Sequence, residues 1–150
     1  MTQQVLVPMD TSGPATAALE YALTRFPDAE IVVLYACGIN EADGSLRERV
    51  LRSEFERERI RRERIAEEIF QAAADSAEQA GATVSTALEY GLPIRAITSY
   101  AEDHDVDRIV IGTHDRKGLS RLLLGGVAEV VMRRSPVPVT VRSAGARTPE

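Results

Sequence analysis

Glycines open and close one segment of the chain, which runs from Gly112 to Gly126 and carries the basic residues Arg116 and Lys117. It follows an apolar run and precedes an apolar helical pattern. A glycine-bearing loop between a strand and a helix can bring bare backbone N–H groups against a phosphate, with the positive end of the helix behind them. The residue types and their order are typical of a phosphate-binding loop; the alternative is that Gly125 and Gly126 only allow the following helix to approach the first strand.

The elements that would position this loop are five short segments rich in valine, isoleucine and leucine. Several of them are continuous apolar runs, which is typical of strands covered on both faces and hence of a parallel sheet. The predicted strands are Gln4–Met9, Glu30–Ala36, Thr83–Glu89, Asp107–Ile111 and Val137–Val141.

Helical patterns lie between these strands, and the first has Ser12 as a candidate N-cap and Pro14 near its start. Strand and helix alternate along the whole chain, which predicts an α/β fold: a single doubly wound, Rossmann-like parallel sheet with helices on both faces. The predicted helices are Thr16–Phe26, Leu46–Ala80, Pro93–Asp103 and Leu119–Arg134.

The longest helical pattern changes character along its length. Its second half carries an apolar stripe suited to packing on a sheet, formed by Ile65, Ile69, Ala73, Ala77 and Ala80. Its first half is rich in arginine and glutamate, with opposite charges three and four positions apart, such as Glu58 with Arg61 and Arg62.

Three interpretations of that charged half stay open. It is a solvated helix end, or an arm that docks a protein partner through Val50, Leu51 and Phe55, or an arm for nucleic acid. The balanced charge makes the last interpretation the least favoured.

In an open parallel sheet, ligands bind beyond the carboxyl ends of the strands, where the strand order reverses. Asp10, Cys37 and Gly112 follow the first, second and fourth predicted strands. Cys37 is expected at the mouth of the same crevice, where a thiol could sense oxidants, although a small apolar role is the plainer interpretation.

Composition excludes several classes of function. Eighteen basic against 23 acidic residues give a net charge of −5, which argues against nucleic-acid binding. No apolar run approaches the length of a membrane span, and the first residues lack the basic start of a signal peptide. One cysteine excludes an internal disulfide, and these features together predict a cytoplasmic protein without membrane contact.

Four motifs in order resemble the universal stress protein family. They read VLVPMD near the start, ALEYGLP before the third helix, DRIVIGTHDRKGLSRLLLGGVAE in the loop region and SPVPVTVR near the end. The resemblance covers nearly the whole chain except a variable insert and charged helix at about residues 39–64. It implies a domain at residues 1–142 with strand order 3-2-1-4-5, and a flexible tail at residues 143–150.

The resemblance also implies a homodimer formed edge to edge through the last strand, with Val137, Val139 and Val141 at the dimer edge. An apolar edge strand left unpaired invites aggregation, and two-fold pairing of like edges removes that hazard. A protein partner, of unknown identity, is expected in addition.

Nucleotide-binding members of the family carry two further glycines after the first and then a serine or threonine, in the pattern G-x2-G-x9-G-[S/T]. This chain keeps Gly112 and Gly125, but it has Asp115 at the second glycine position and Gly126 at the hydroxyl position. Asp115 would repel a polyphosphate by about 1 kcal/mol in water and ~4 kcal/mol at a partly buried site. A hydroxyl at position 126, which Gly126 lacks, would contribute about 1.5–3 kcal/mol to the binding free energy of a charged acceptor.

Other family positions for the nucleotide are kept. The resemblance places Asp10 against the nucleoside, and the positions that line the adenine slot correspond to Pro8, Ala36, Ile111 and Val127. It implies ATP or AMP as the cofactor, with magnesium in the case of ATP, and no cofactor if the altered loop has lost binding.

The motifs of common catalytic sites are absent from the sequence: there is neither a P-loop nor a G-x-S-x-G nucleophile elbow. His104 and His114 lack further ligands at metal spacing, so no metal site is predicted. Three functions stay open: a small regulatory stress-response protein with a degenerate adenine-nucleotide crevice, a dimeric interaction module that does not bind ATP, and a slow ATPase. The last is disfavoured, so we expect no enzyme.

Overall fold

The computed structural model describes residues 2–10, 12–37, 46–113 and 126–143, with side chains of the long helix described from residue 54 onward. Within these ranges the strands are β1 Gln4–Pro8, β2 Glu30–Cys37, β3 Val84–Tyr90, β4 Arg108–Thr113 and β5 Val139–Ser143. The helices are α1 Gly13–Arg25, α2 Leu46–Gln79, α3 Pro93–Asp103 and α4 Val127–Arg134.

The five strands form one sheet in the order β3-β2-β1-β4-β5, and every pairing is parallel. The predicted fold class and strand order are therefore confirmed. The chain moves outward in one direction from β1 to β3, and then crosses over to place β4 on the other side of β1. The strand order reverses between β1 and β4, which is where ligands bind in open α/β sheets.

Alternate residues of the strands face different helix layers. Val33, Tyr35 and Cys37 of β2 pack in a core with α1 and α2. Val32 and Leu34 belong to a second core, which is shared with α3 and α4. Both faces of the sheet are thus covered, as the continuous apolar runs predict.

Helix α1 begins against the sheet at Gly112 of β4. Ser12 is its N-cap, and the Ser12 hydroxyl accepts a hydrogen bond from the Ala15 backbone N–H at 3.4 Å. A side chain at Gly112 would collide with the backbone of Pro14 and would lie 2.8 Å from the Ala15 nitrogen. The glycine is therefore required for the close approach of α1 to β4, whatever it does for a ligand.

Helix α2 is much longer than the sheet is tall, since 34 residues span about 50 Å at about 1.5 Å per residue. Its buried stripe consists of Ala66, Ile69, Ala73 and Ala77. Of the predicted stripe, Ile65 is only partly buried, and Ala80 is exposed beyond the end of the helix. The stripe drifts because 3.6 residues per turn do not hold one face over a strict four-residue step.

The charged half of α2 is tied to the carboxyl ends of β2 and β3. Arg62 forms a 2.8 Å salt bridge with Glu58, as predicted, and donates to the Tyr35 hydroxyl at 3.4 Å. Tyr90 donates to Glu63 at 2.8 Å. The side chains of Val50 and Leu51 lie outside the described residues, and Phe55 is partly buried.

Most predicted strand and helix boundaries shift by one to three residues, and the corrections at α4 and β5 concern the loop and the tail. Gly126 has an extended backbone (φ −74°, ψ 166°) and is the N-cap of α4, so it does not lie inside a helix that begins at Leu119. Strand β5 extends to Ser143, which is the first residue of the predicted tail, and residues 144–150 are outside the described ranges. Among the described helices, none combines the length and apolar character needed to cross a membrane.

Candidate functional site

A cavity of about 450 Å³ opens at the carboxyl edge of the sheet, at the reversal point between β1 and β4. It lies mostly on the α3–α4 side, with the start of α1 also bordering it, and its described lining is mostly apolar. The lining residues are Pro8, Met9, Asp10, Ser12, Ala15, Leu34, Ala36, Pro93, Ile97, Ile111, Gly112, Thr113, Gly126, Val127 and Ala128.

The structure brings the predicted nucleotide-site residues together wherever it describes them. Those that line the cavity are Pro8, Asp10, Ala36, Ile111, Gly112, Gly126 and Val127. Asp115 and Gly125 lie outside the described residues. The shared location is a fact of the fold, whereas the role of these residues in nucleotide binding stays a prediction.

Side-chain alternation decides which residues of β2 face the cavity. Leu34 and Ala36 line it, and the Leu34 carbonyl holds the Met9 N–H at 2.8 Å, which fixes β1 beside β2 at this edge. Cys37 points the other way and is 1% exposed in the α1–α2 core. The prediction that Cys37 lies at the mouth of the crevice is therefore wrong.

The first turns of three helices reach the cavity: Ser12 and Ala15 from α1, Pro93 from α3, and Val127 from α4. The first backbone N–H groups of a helix have no partners within the helix and carry a partial positive charge. At α4 the N-cap is Gly126, and among the described residues no side chain caps these groups. This arrangement can accept an anion at the edge of an apolar slot.

Asp10 has a structural role in the turn that leads into α1. Its Oδ1 accepts a hydrogen bond from the Ser12 backbone N–H at 2.8 Å, which shapes the turn into α1. The Oδ2 atom takes no part in that bond, and the side chain is exposed at the cavity. Asp10 can therefore hold the turn with one oxygen and accept from a ligand hydroxyl with the other.

The polar groups of the described lining are few and not basic. Asp10 supplies a carboxylate, and Ser12 and Thr113 supply hydroxyls. The lining residues that the structure describes include no lysine, arginine or histidine. The described part of the cavity thus combines an apolar slot with one carboxylate and two hydroxyls.

The sequence interpretation missed about half of the lining, including Leu34, Pro93, Ile97, Thr113 and Ala128. Leu34 and Thr113 could have been found, because strand residues two positions apart lie on the same face. Leu34 lies two residues before Ala36 on β2, and Thr113 lies two residues after Ile111 on β4. Pro93 and Ile97 carry no such signal, because their position depends on how α3 packs against β2.

An open parallel sheet with a crevice at its reversal point defines a class of nucleotide-binding architectures. Within that class, the profile of the Universal stress protein family matches residues 1–142. A universal stress protein of Methanocaldococcus jannaschii is 30% identical over 146 residues, which cover 93% of this chain and 81% of the relative. The chain belongs to the universal stress protein family.

Solved structures have the same fold. Universal stress protein UspA from Lactobacillus plantarum superposes with a TM-score of 0.70 at 25% identity, covering 93% of this chain and 97% of that one. A universal stress protein in complex with cAMP has a TM-score of 0.67 at 23% identity, covering 93% and 95%. An Arabidopsis thaliana family protein with AMP bound has a TM-score of 0.67 at 16% identity, covering 96% and 93%.

Proposed function

We propose that this chain is a small regulatory protein of the cytoplasm whose crevice binds an adenine nucleotide of low charge, AMP or cAMP in preference to ATP with magnesium. The observation that carries the proposal is the lining of the cavity. It combines an apolar slot with exposed helix N-termini and the carboxylate of Asp10.

Charge decides between the nucleotides. A helix N-terminus stabilises one anionic group within its first turn, and its effect falls off beyond that turn. Each further phosphate of ATP needs a cation or another donor. Gly126 offers no hydroxyl, and Asp10 adds a negative charge near the ligand. The AMP and cAMP bound to structural neighbours support nucleotides with one phosphate as ligands for this fold.

The same lining supports a binding protein over an enzyme. Hydrolysis of ATP needs a positioned base and ligands for a metal ion. Asp10 is the one acidic side chain of the described lining, and its Oδ1 is already engaged by the Ser12 N–H. We therefore propose that occupancy of the crevice, and no turnover, is the signal.

Dimerisation through β5 is the second part of the proposal. In the described part of the chain β5 pairs only with β4, so its outer edge offers backbone N–H and C=O groups. Val137, Val139 and Val141 pack against the α3–α4 core. Backbone pairing would thus hold the two copies together, and these valines would extend one continuous core across the edge.

Calorimetric titration with AMP, cAMP and magnesium ATP tests the nucleotide part. We expect AMP or cAMP to bind about tenfold or more tightly than ATP, which corresponds to about 1.4 kcal/mol. Ala36→Leu should abolish binding because the larger side chain fills the slot. Ala17→Leu is the matched control, since Ala17 is also half-exposed but lies on α1 away from the cavity. Tighter binding of ATP than of AMP would contradict the proposal.

An interaction module that does not bind nucleotides is the second candidate. The feature that favours it is the charged half of α2, where Ile60 is 55% exposed among arginines and glutamates. Two results together would select this candidate. No adenine nucleotide would give heat in calorimetry, and Ala36→Leu, which fills the crevice, would leave partner binding unchanged.

A further inference from the structure

Glu89 of β3 borders the end of the cavity that lies over β2. In the parallel pairing of β2 and β3 it is the register partner of Ala36, which lines the cavity. Ala87, two residues earlier on β3, packs against the α3–α4 core, and strand residues two positions apart share a face. The Glu89 side chain therefore leaves the sheet on the same face as the cavity, one strand outward from Ala36.

The link between β3 and α3 keeps Glu89 at the carboxyl edge. Only Gly91 and Leu92 separate the end of β3 from the start of α3, and Pro93 at that start lines the cavity. Ala36 has only a methyl group, so it leaves room on this face for the longer side chain of its neighbour. Glu89 thus stands beside the slot between Ala36 and the first turn of α3.

The charge of Glu89 acts on this face of the sheet. Tyr100 of α3 packs against the α3–α4 core. Burial is the main cause that raises the pKa of the Tyr100 phenol, and the negative charges of Glu89 and Glu30 raise it further. Within the described ranges the Glu89 carboxylate forms no hydrogen bond or salt bridge, and the residue is exposed. Its oxygens are available to a ligand.

The strand order decides which part of a nucleotide would meet Glu89. The proposed function places the phosphate at the N-terminus of α4, and α4 packs on β4 and β5. Neighbouring strands lie about 4.8 Å apart, so β2 and β3 lie about 10 Å and about 14 Å from β4 across the sheet. A nucleotide that extends from α4 through the apolar slot carries its base over Ala36, with one ring edge toward β3.

We infer that Glu89 is a specificity-determining residue of the crevice, whose carboxylate accepts a hydrogen bond from the exocyclic amino group of the bound base. The inference rests on the proposed function, because it requires the phosphate to bind at α4. An ionised carboxylate offers acceptors only. It therefore selects adenine, which carries a donor at this position, over a purine with a hydrogen atom or a carbonyl oxygen there.

Calorimetric titration with two ligands tests the inference. One ligand is AMP, and the other is purine riboside monophosphate, which has a hydrogen atom in place of the exocyclic amino group. Both are titrated into the wild type, Glu89→Ala and Glu89→Gln. The matched control is Glu102→Ala, because Glu102 is an exposed glutamate of α3 outside the cavity lining. The measured quantity is the ratio of the two dissociation constants, in which the effect of net charge on both anions cancels.

The wild type should bind AMP about tenfold more tightly than the analogue, as expected of a hydrogen bond to a charged acceptor. Glu89→Ala should bring the ratio of the dissociation constants close to one. Glu89→Gln should give an intermediate ratio, because the amide oxygen still accepts but carries no charge. Glu102→Ala should keep the wild-type ratio.

Two outcomes would overturn the inference and leave the proposed function intact. In the first, the wild type binds AMP and the analogue equally well. In the second, the wild type prefers AMP and Glu89→Ala keeps that preference. A wild type that binds neither ligand would overturn the inference and the proposed function together, so the two failures are distinguishable.

Discussion

The two faces of the sheet are built from the same strands but differ in how tightly they are packed at the carboxyl edge. On the α1–α2 face, Val33, Tyr35 and Cys37 of β2 pack in one buried core with Leu19. On the α3–α4 face, the carboxyl edge carries Pro8, Ala36, Gly126 and Ala128, and a cavity remains.

Residue size is what separates the two faces. Close packing of large side chains stabilises the fold, whereas small residues at strand and helix ends leave room for a ligand. Substitutions on the α1–α2 face, the closed face, should therefore change mainly the free energy of unfolding. Substitutions on the α3–α4 face, the open face, should change mainly the affinity for the ligand.

The largest expected effect belongs to the closed face. Leu19 is 1% exposed, and Leu19→Ala should lower the free energy of unfolding by about 2–5 kcal/mol because it leaves a cavity. AMP affinity of the folded fraction should stay unchanged. Urea denaturation followed by circular dichroism measures the loss, and a value below about 1 kcal/mol would show that the closed face is not tightly packed.

Gly112→Ala should affect both stability and ligand binding, because Gly112 lines the cavity and touches the start of α1. The added methyl group collides with the Pro14 backbone, which is not the flexible end of a side chain. We expect a loss of about 1–3 kcal/mol in the free energy of unfolding together with weaker AMP binding. A variant as stable as the wild type would contradict the close approach of α1 to β4.

Gly126→Ser changes the open face alone. The extended backbone at Gly126 suits a serine N-cap, and the hydroxyl can donate to a phosphate oxygen. Affinity for ATP should rise about tenfold, at about 1.5 kcal/mol for a charged acceptor, while stability rises by only about a few tenths of a kcal/mol.

Gly126→Ala is the control for this change, because it adds a side chain without a donor. Calorimetry of both variants separates the hydroxyl from the methyl group. Equal gains in ATP affinity for serine and alanine would show that the hydroxyl does not contact the phosphates.

The smallest effect is expected at Tyr90, whose hydroxyl donates to Glu63 of the charged half of α2. That hydrogen bond raises the pKa of the Tyr90 phenol, since it stabilises the protonated form. The contribution to stability is therefore present below the ordinary tyrosine pKa and is lost as the pH rises through the higher pKa of the folded state.

Tyr90→Phe should change stability by about 0.5 kcal/mol or less at neutral pH, because the site is at the surface. Thermal unfolding of the wild type and the variant from pH 8 to pH 11 checks the sign. The two curves should converge at the alkaline end, and a difference that grows with pH would contradict the hydrogen bond to Glu63.

The fold was largely predictable from the sequence because continuous apolar runs such as Ile31–Leu34 specify buried parallel strands, and short patterns between them specify crossover helices. Family resemblance supplied the strand order, which local patterns do not contain. Alternation along β2 could also have shown that Ala36 and Cys37 face opposite sides, so the misplacement of Cys37 was avoidable.

The rest of the site depends on tertiary packing. Pro93 reaches the cavity only because α3 packs over β2, and no local pattern encodes that contact. The late start of α4 has a similar cause: Gly126 accepts an extended backbone that interrupts an apolar periodicity continuous in the sequence.

The most direct test of the central claim, that the open face binds a nucleotide, is a titration of the ¹⁵N-labelled protein with AMP followed by amide chemical shifts. We expect the largest shifts at Ala36, Gly112 and Gly126–Ala128, while the amides of Leu19 and Ala73 on the α1–α2 face stay in place. Shifts confined to other surfaces, or no shifts at millimolar AMP, would contradict it.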